Sequence, residues 1–295
     1  MSALTMFRTP AAPLRRLWSG LALVTRSRLG TVGFVIVVLF LLIGIFGPWL
    51  APHDPNLINI KGRLVQPSWD HLLGTDQLGR DVLSRVLIGT RVALLVALIS
   101  ISLAVAIGMV AGVAAGLGPR WLDRALVTLF DTVRSFPMLM TGIAVIALFG
   151  PSLWTIIAVI VISTFPTYAR IARTQTQAVA SNEFILAERS IGVGSVRIAT
   201  MHMLPNILGQ ILVLASMDIP VVIMVEAGLS FLGLGIRPPN ASWGTILNDG
   251  YSFIRNSPWP VLAGGVPLIL ATLGFTFLGE ALRDFLDPKL RRATW

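Results

Sequence analysis

Three stretches of this chain, residues 29–52, 92–119 and 256–279, contain no Asp, Glu, Lys, Arg or His. Each is longer than the roughly 20 residues a helix needs to cross the hydrocarbon of a bilayer. Every backbone polar group inside hydrocarbon must be satisfied within its own segment, so such runs are helices. A fourth uncharged stretch, 135–169, is too long for one span. Gly150-Pro151 divides it, predicting spans near 125–149 and 152–169. A further span fits near 206–235 and carries Asp218 and Glu226. Only 13% of the residues are charged, against roughly 25% in a soluble domain. The fold class is all-α integral membrane, with six transmembrane helices.

The first run is longer than the apolar region of a secretion signal, and Pro48-Trp49-Leu50-Ala51-Pro52 is a poor cleavage site, so it is expected to stay as a signal anchor. The net charge of +9 has a topological reading. With the N-terminus inside, 15 of the 23 basic residues fall on cytoplasmic segments, as the positive-inside rule requires. Both termini are then cytoplasmic. The expected organisation is a basic tail over 1–28, a first span over 29–52, an extracytoplasmic segment over 53–90, a five-helix core over 91–286 and a cytoplasmic tail over 287–295. The basic tail reads either as an interfacial arm or as a topology determinant alone. Such a charge distribution gives no reason to expect nucleic acid as a partner; the lipid bilayer is the expected one.

Within 53–90, Thr75 or Asp76 can cap a helix whose apolar stripe is Leu78, Val82, Leu83, Val86 and Leu87, with Arg80, Asp81 and Arg85 on the other side. The stripe predicts an amphipathic helix at the outer surface, serving either as a gate or docking surface or as a packing connector. Gly108, Gly112 and Gly116 form a small-residue ladder that lets helix backbones approach. Asp131 and Arg134 are spaced to pair on one helix face, and Phe136-Pro137 should kink their span. Ionisable residues in a span seldom face lipid. Asp131, Arg134, Asp218 and Glu226 are therefore candidates for a translocation path or for intramembrane pairing, Asp131 and Arg134 with each other or with Asp218 or Glu226. Trp243, Tyr251 and Trp259 are expected as interfacial anchors in or beside an outer loop over 237–255.

Several chemistries lack their residues. There is no cysteine. The two lysines, Lys61 and Lys289, stand in no phosphate-binding G-x-x-x-x-G-K-[ST] frame. His53, His71 and His202 are scattered, so no metal site is expected. Gly192-Val-Gly194 lacks a preceding strand and a third glycine. No catalytic residue and no cofactor are expected on this chain.

The polar segment SNEFILAERSIGVGSVRIATMHMLPN, residues 181–206, stands out between apolar runs. Ser181 or Asn182 can cap a short helix with Glu183 in its first turn. Phe184, Ala187 and Ile191 make a narrow apolar seam, flanked by Glu188 and Arg189, and Gly192 can end the helix in the left-handed region. Ser195 can cap a second short helix, stopped at Leu204-Pro205. A short amphipathic helix of this kind suits a groove in another protein.

The frame Leu186-Ala187-Glu188, Gly192 and Leu204-Pro205 resembles the E-A-A…G…L-P loop of ABC importer permeases, with Leu186 and Glu188 replacing the first Glu and last Ala of the triplet. HLLGTDQLGRDVLSRVLIGTRVAL (71–94), EAGLSFLGLGIRPPNASWG (226–244) and PWLAPHDPN (48–56) are similar to the C-type permease subunit of dipeptide and oligopeptide importers, a group that includes nickel and glutathione systems. The resemblance implies a type I ABC importer permease fold in a bacterial inner membrane. It also implies a homologous second permease, two ATPase subunits that bind ATP and Mg, and an extracytoplasmic binding protein. Glu183, Phe184, Ala187, Glu188, Arg189, Gly192, Leu204 and Pro205 would form the segment coupled to the ATPases. The competing reading is a proton-driven secondary transporter using Asp131, Asp218 and Glu226.

Overall fold

A computed structural model describes residues 27–286. The expectations for the two basic tails therefore lie almost wholly outside the described residues. Ten α-helices occur among them: α1 (Arg28–Leu50), α2 (Val82–Leu117), α3 (Arg120–Arg134), α4 (Met138–Phe149), α5 (Leu153–Ala180), α6 (Glu183–Ser190), α7 (Ser195–Ile198), α8 (Leu204–Phe231), α9 (Trp243–Tyr251) and α10 (Trp259–Leu286). No strand is present among the described residues. Five helical stretches are long and apolar enough to cross a membrane, and α3 with α4, bent by 87° at their junction, counts as a sixth when the pair is one broken span.

The apolar runs become helices as hydrocarbon demands, but their ends are decided by local chemistry. Asp81, not Thr75 or Asp76, caps α2, its carboxylate accepting the Ser84 amide at 2.8 Å. Residues 76–80 form a tight turn instead of helix because the Asp76 carboxylate takes the Leu78 and Arg80 amides at 2.9 and 3.0 Å, and Gly79 sits at φ +75° against the Asn59 carbonyl. The expected kink at Phe136-Pro137 is a full break: proline has no N–H to donate and pushes its predecessor out of the helical region. Helix α5 runs well past 169 because Arg170 and Arg173 reach acids on α3 and need not end it. The expected stop at Pro205 does not occur. A π-helical turn, Ala199–Met203, joins α7 to α8, and Pro205 falls in the first turn of α8, where its missing N–H costs nothing.

Helices α2 and α5 form the central seam. A side-chain carbon on Gly108, Gly112 or Gly116 would meet Tyr168 Cβ at 2.6 Å, the Ala169 carbonyl at 2.3 Å or Thr176 Cβ at 2.7 Å. The ladder is therefore a backbone-to-backbone contact. Helix α10 packs on α1 in the same manner through Gly33 and Gly274. The expected outer loop contains α9, started by a reciprocal Ser242–Thr245 capping box. Its Trp243 is no interfacial anchor. It is fully buried, edge-on to Phe40 at 5.6 Å, with its indole N–H donated to the Val86 carbonyl at 3.3 Å. Only a tryptophan whose N–H finds a partner is comfortable there.

Candidate functional site

The segment between α5 and α8 is built from short pieces tied inward by a few side chains. Asn182 stands at the N-cap of α6 without a side-chain bond, and Glu183 lies in its first turn. At its other end the Gly192 amide donates to the Arg189 carbonyl and the Val193 amide to the Glu188 carbonyl, both at 3.0 Å, with Gly192 at φ +85°. This paired bonding with a left-handed glycine is the Schellman termination. Gly194, not Ser195, caps α7.

Ile185, Ile198 and Met203 are fully buried in the main core and pin the segment to the membrane body. The opposite side is apolar and uncovered: Phe184 is 48% exposed, Val196 78% and Ile191 80%. Ala187, Arg189 and Pro205 are exposed beside them. The Phe184–Ala187–Ile191 seam thus faces outward. Glu188 faces His202 across the turn, Oε1 to Nε2 at 2.8 Å, and the His202 ring meets Phe184 edge-on at 5.9 Å. Leu204 lines an open apolar cleft of about 500 Å³ with Val110, Leu117, Leu122 and Val196. Phe184, Ile191 and Val196 thus form an uncovered apolar patch bordered by Glu183 and Arg189.

The intramembrane charges do not pair as expected. Asp131 bonds to Arg170 of α5, and Asp123 takes Arg173 in a two-point contact whose second bond is 2.7 Å. Packing of α3 on α5 delivers these guanidinium groups, while Arg134 is exposed and has no ion-pair partner among the described residues. Asp218 accepts the Tyr168 hydroxyl at 2.7 Å, and buried Glu226 accepts the Ser230 hydroxyl at 2.7 Å. Hydroxyl groups thus take the place of the expected arginine.

A buried charged cluster escapes the sequence reading. Arg80 lies 2.6 Å from Asp76 and 3.0 Å from Asp249, and Arg85 lies 3.5 and 3.6 Å from the same two acids. Asp76, Arg80 and Arg85 are almost wholly buried, although the sequence places these arginines on the solvent side of a surface helix. The available signal is the density of charge over 76–85 around Gly79.

The chain matches the family described as "Binding-protein-dependent transport system inner membrane component" over residues 104–292. Residues 24–67 match the N-terminal TM domain of oligopeptide transport permease C. It is 37% identical over 289 residues to the dipeptide transport system permease protein DppC of Escherichia coli (strain K12), covering 96% of this chain and 95% of that protein. It is 36% identical over 266 residues to the DppC of Alkalihalophilus pseudofirmus, covering 90% and 88%. With the nickel transport system permease protein NikC of Escherichia coli (strain K12) it shares 36% over 260 residues, 88% of this chain and 94% of the relative. Among solved structures, an inward-facing MetNI methionine ABC transporter chain superposes with a TM-score of 0.55 at 17% identity, covering 69% of this chain and 97% of that one, a likeness of fold. Five apolar membrane-length helices, the bent α3–α4 pair, an exposed amphipathic segment between α5 and α8, and these matches place the chain in the family of inner-membrane permease subunits of binding-protein-dependent ABC importers.

Proposed function

We propose that this permease forms half of the translocation pathway of an importer for di- or oligopeptides or similar small solutes, and that residues 181–204 dock on partner ATPases. The exposed Phe184–Ala187–Ile191 seam, held to the core through Ile185 and Ile198, carries the docking reading. Such a mount transmits displacement in both directions between the segment and α5 and α8, and coupling between two sites needs an element of that kind. Glu183, Glu188 and Arg189 supply polar contacts around the seam. A homologous permease completes the pathway, an extracytoplasmic binding protein delivers the solute, and ATP with Mg is bound by the ATPases. Both termini are cytoplasmic in this reading. The relatives' names, dipeptide and nickel permeases, support the solute class.

The proton-driven alternative finds no support. Asp131, Asp218 and Glu226 each have a different partner and none contacts another. The deciding experiment reconstitutes the chain with its partner permease, ATPases and binding protein in proteoliposomes. Dipeptide uptake is expected only with ATP and loaded binding protein. Uptake in ATP-free vesicles under an imposed proton gradient would overturn the reading. Reporter fusions after residues 65, 175, 245 and 295 test the topology, with 175 and 295 expected inside.

A further inference from the structure

Asp81 is a buried carboxylate without an arginine. Its side chain is 0% exposed, yet both nearby guanidinium groups, Arg80 and Arg85, are engaged by Asp76 and Asp249. Among the described residues no Arg or Lys forms an ion pair with it. One oxygen, Oδ2, takes the Ser84 amide at 2.8 Å and the Ser84 hydroxyl at 2.7 Å. The other, Oδ1, faces two imidazoles: His71 Nδ1 at 2.8 Å and His53 Nδ1 at 3.7 Å. The two rings lie 4.7 Å apart, and the ligand atoms of all three side chains fall within 4.8 Å of one another.

The three residues come from separate segments that hydrogen bonds hold in place. His53 follows α1, and its amide donates to Ser84 Oγ at 3.1 Å. His71 sits in a turn closed by Ser68 and Gly74. Asp81 is fixed as the cap of α2. In a tetrahedral site with bonds of about 2.0–2.1 Å, neighbouring ligand atoms stand about 3.3 Å apart. The observed 2.8 and 3.7 Å straddle that spacing.

We propose that His53, His71 and Asp81 form a binding site for a divalent transition cation of the zinc type. Two imidazole nitrogens with one carboxylate oxygen suit such a borderline ion, whereas calcium and magnesium favour oxygen-only sets. The histidines keep 40% and 24% exposure, so a further coordination position can be filled by water. The site ties the end of α1 to the start of α2. It lies at the opposite end of α2 from Gly116, which contacts Thr176 near the 181–204 segment, about 50 Å away along the helix.

The test is titration calorimetry of the purified full-length chain in detergent, without a polyhistidine tag, using ZnCl2, with CaCl2 and MgCl2 as comparison ions. Saturable binding of one Zn²⁺ per chain is expected, with no competition from Ca²⁺ or Mg²⁺. His53→Gln and His71→Gln should each weaken it by at least about 10-fold, the lower bound already seen when an outer-shell partner is lost. His202→Gln should leave it unchanged. Zn²⁺ should raise the melting midpoint of the wild type and not that of the double glutamine variant. Absence of saturable binding to folded wild-type protein, or binding that survives the double variant, overturns the proposal.

Discussion

His202 Nε2 lies 2.8 Å from Glu188 Oε1, linking the last turn of α6 to the π-helical turn that leads into α8. This bond closes the 181–204 segment on itself and keeps Phe184 packed against the His202 ring. Both side chains are partly exposed, so the pair is worth about 0.2–1 kcal/mol. Glu188→Gln and His202→Ala should each lower the melting midpoint slightly, and the double variant should lose less than the two singles together. A double-mutant cycle on thermal denaturation measures this; strictly additive losses would show the contact to be inert.

Gly192 needs its left-handed conformation, while a Cβ there would meet nothing within 4 Å. Strain rather than crowding therefore sets the cost, about 1–2 kcal/mol for an ordinary side chain. Gly192→Val should insert normally but abolish stimulation of ATP hydrolysis by loaded binding protein. Gly192→Asn should retain most of it, since asparagine tolerates this region. Equal activity of the two variants would refute the conformational role.

Ala187 is exposed on the outward seam. Ala187→Arg should leave the melting midpoint unchanged and prevent co-purification of the ATPase subunits. Retention of the ATPases by this variant would move the docking surface elsewhere.

The buried Asp76–Arg80–Arg85–Asp249 cluster joins the 53–81 segment to α9. Arg85→Leu leaves two acids facing a single arginine and should cost about 3–5 kcal/mol. Replacing exposed Arg134 by Leu should stay within about 0.5 kcal/mol. Denaturation of the two variants in the same detergent compares them directly.

Gly112→Leu would drive a side chain into the Ala169 carbonyl and force α2 from α5. The loss should be at least the ~1–3 kcal/mol of an overpacked core. Ile107→Leu, on an exposed position of the same helix, should be neutral by the same measurement.

The positions of the long helices are legible along the chain, because hydrocarbon requires contiguous, predominantly apolar stretches of sufficient length, and that requirement is local. Also legible are the Gly108–Gly112–Gly116 seam and the turn at Gly192, where the residue type states the geometry required. Packing selects the partners of the charges. Asp131 chose Arg170, 39 residues away, over Arg134 on its own helix. Arg80 reaches Asp249 across 169 residues, and Trp243 reaches Val86 across 157. His53 and His71, scattered in the chain, share one carboxylate oxygen. A charge or an indole N–H is satisfied by whichever group the packing brings within about 3 Å, and no periodicity along the chain records which helix will be the neighbour.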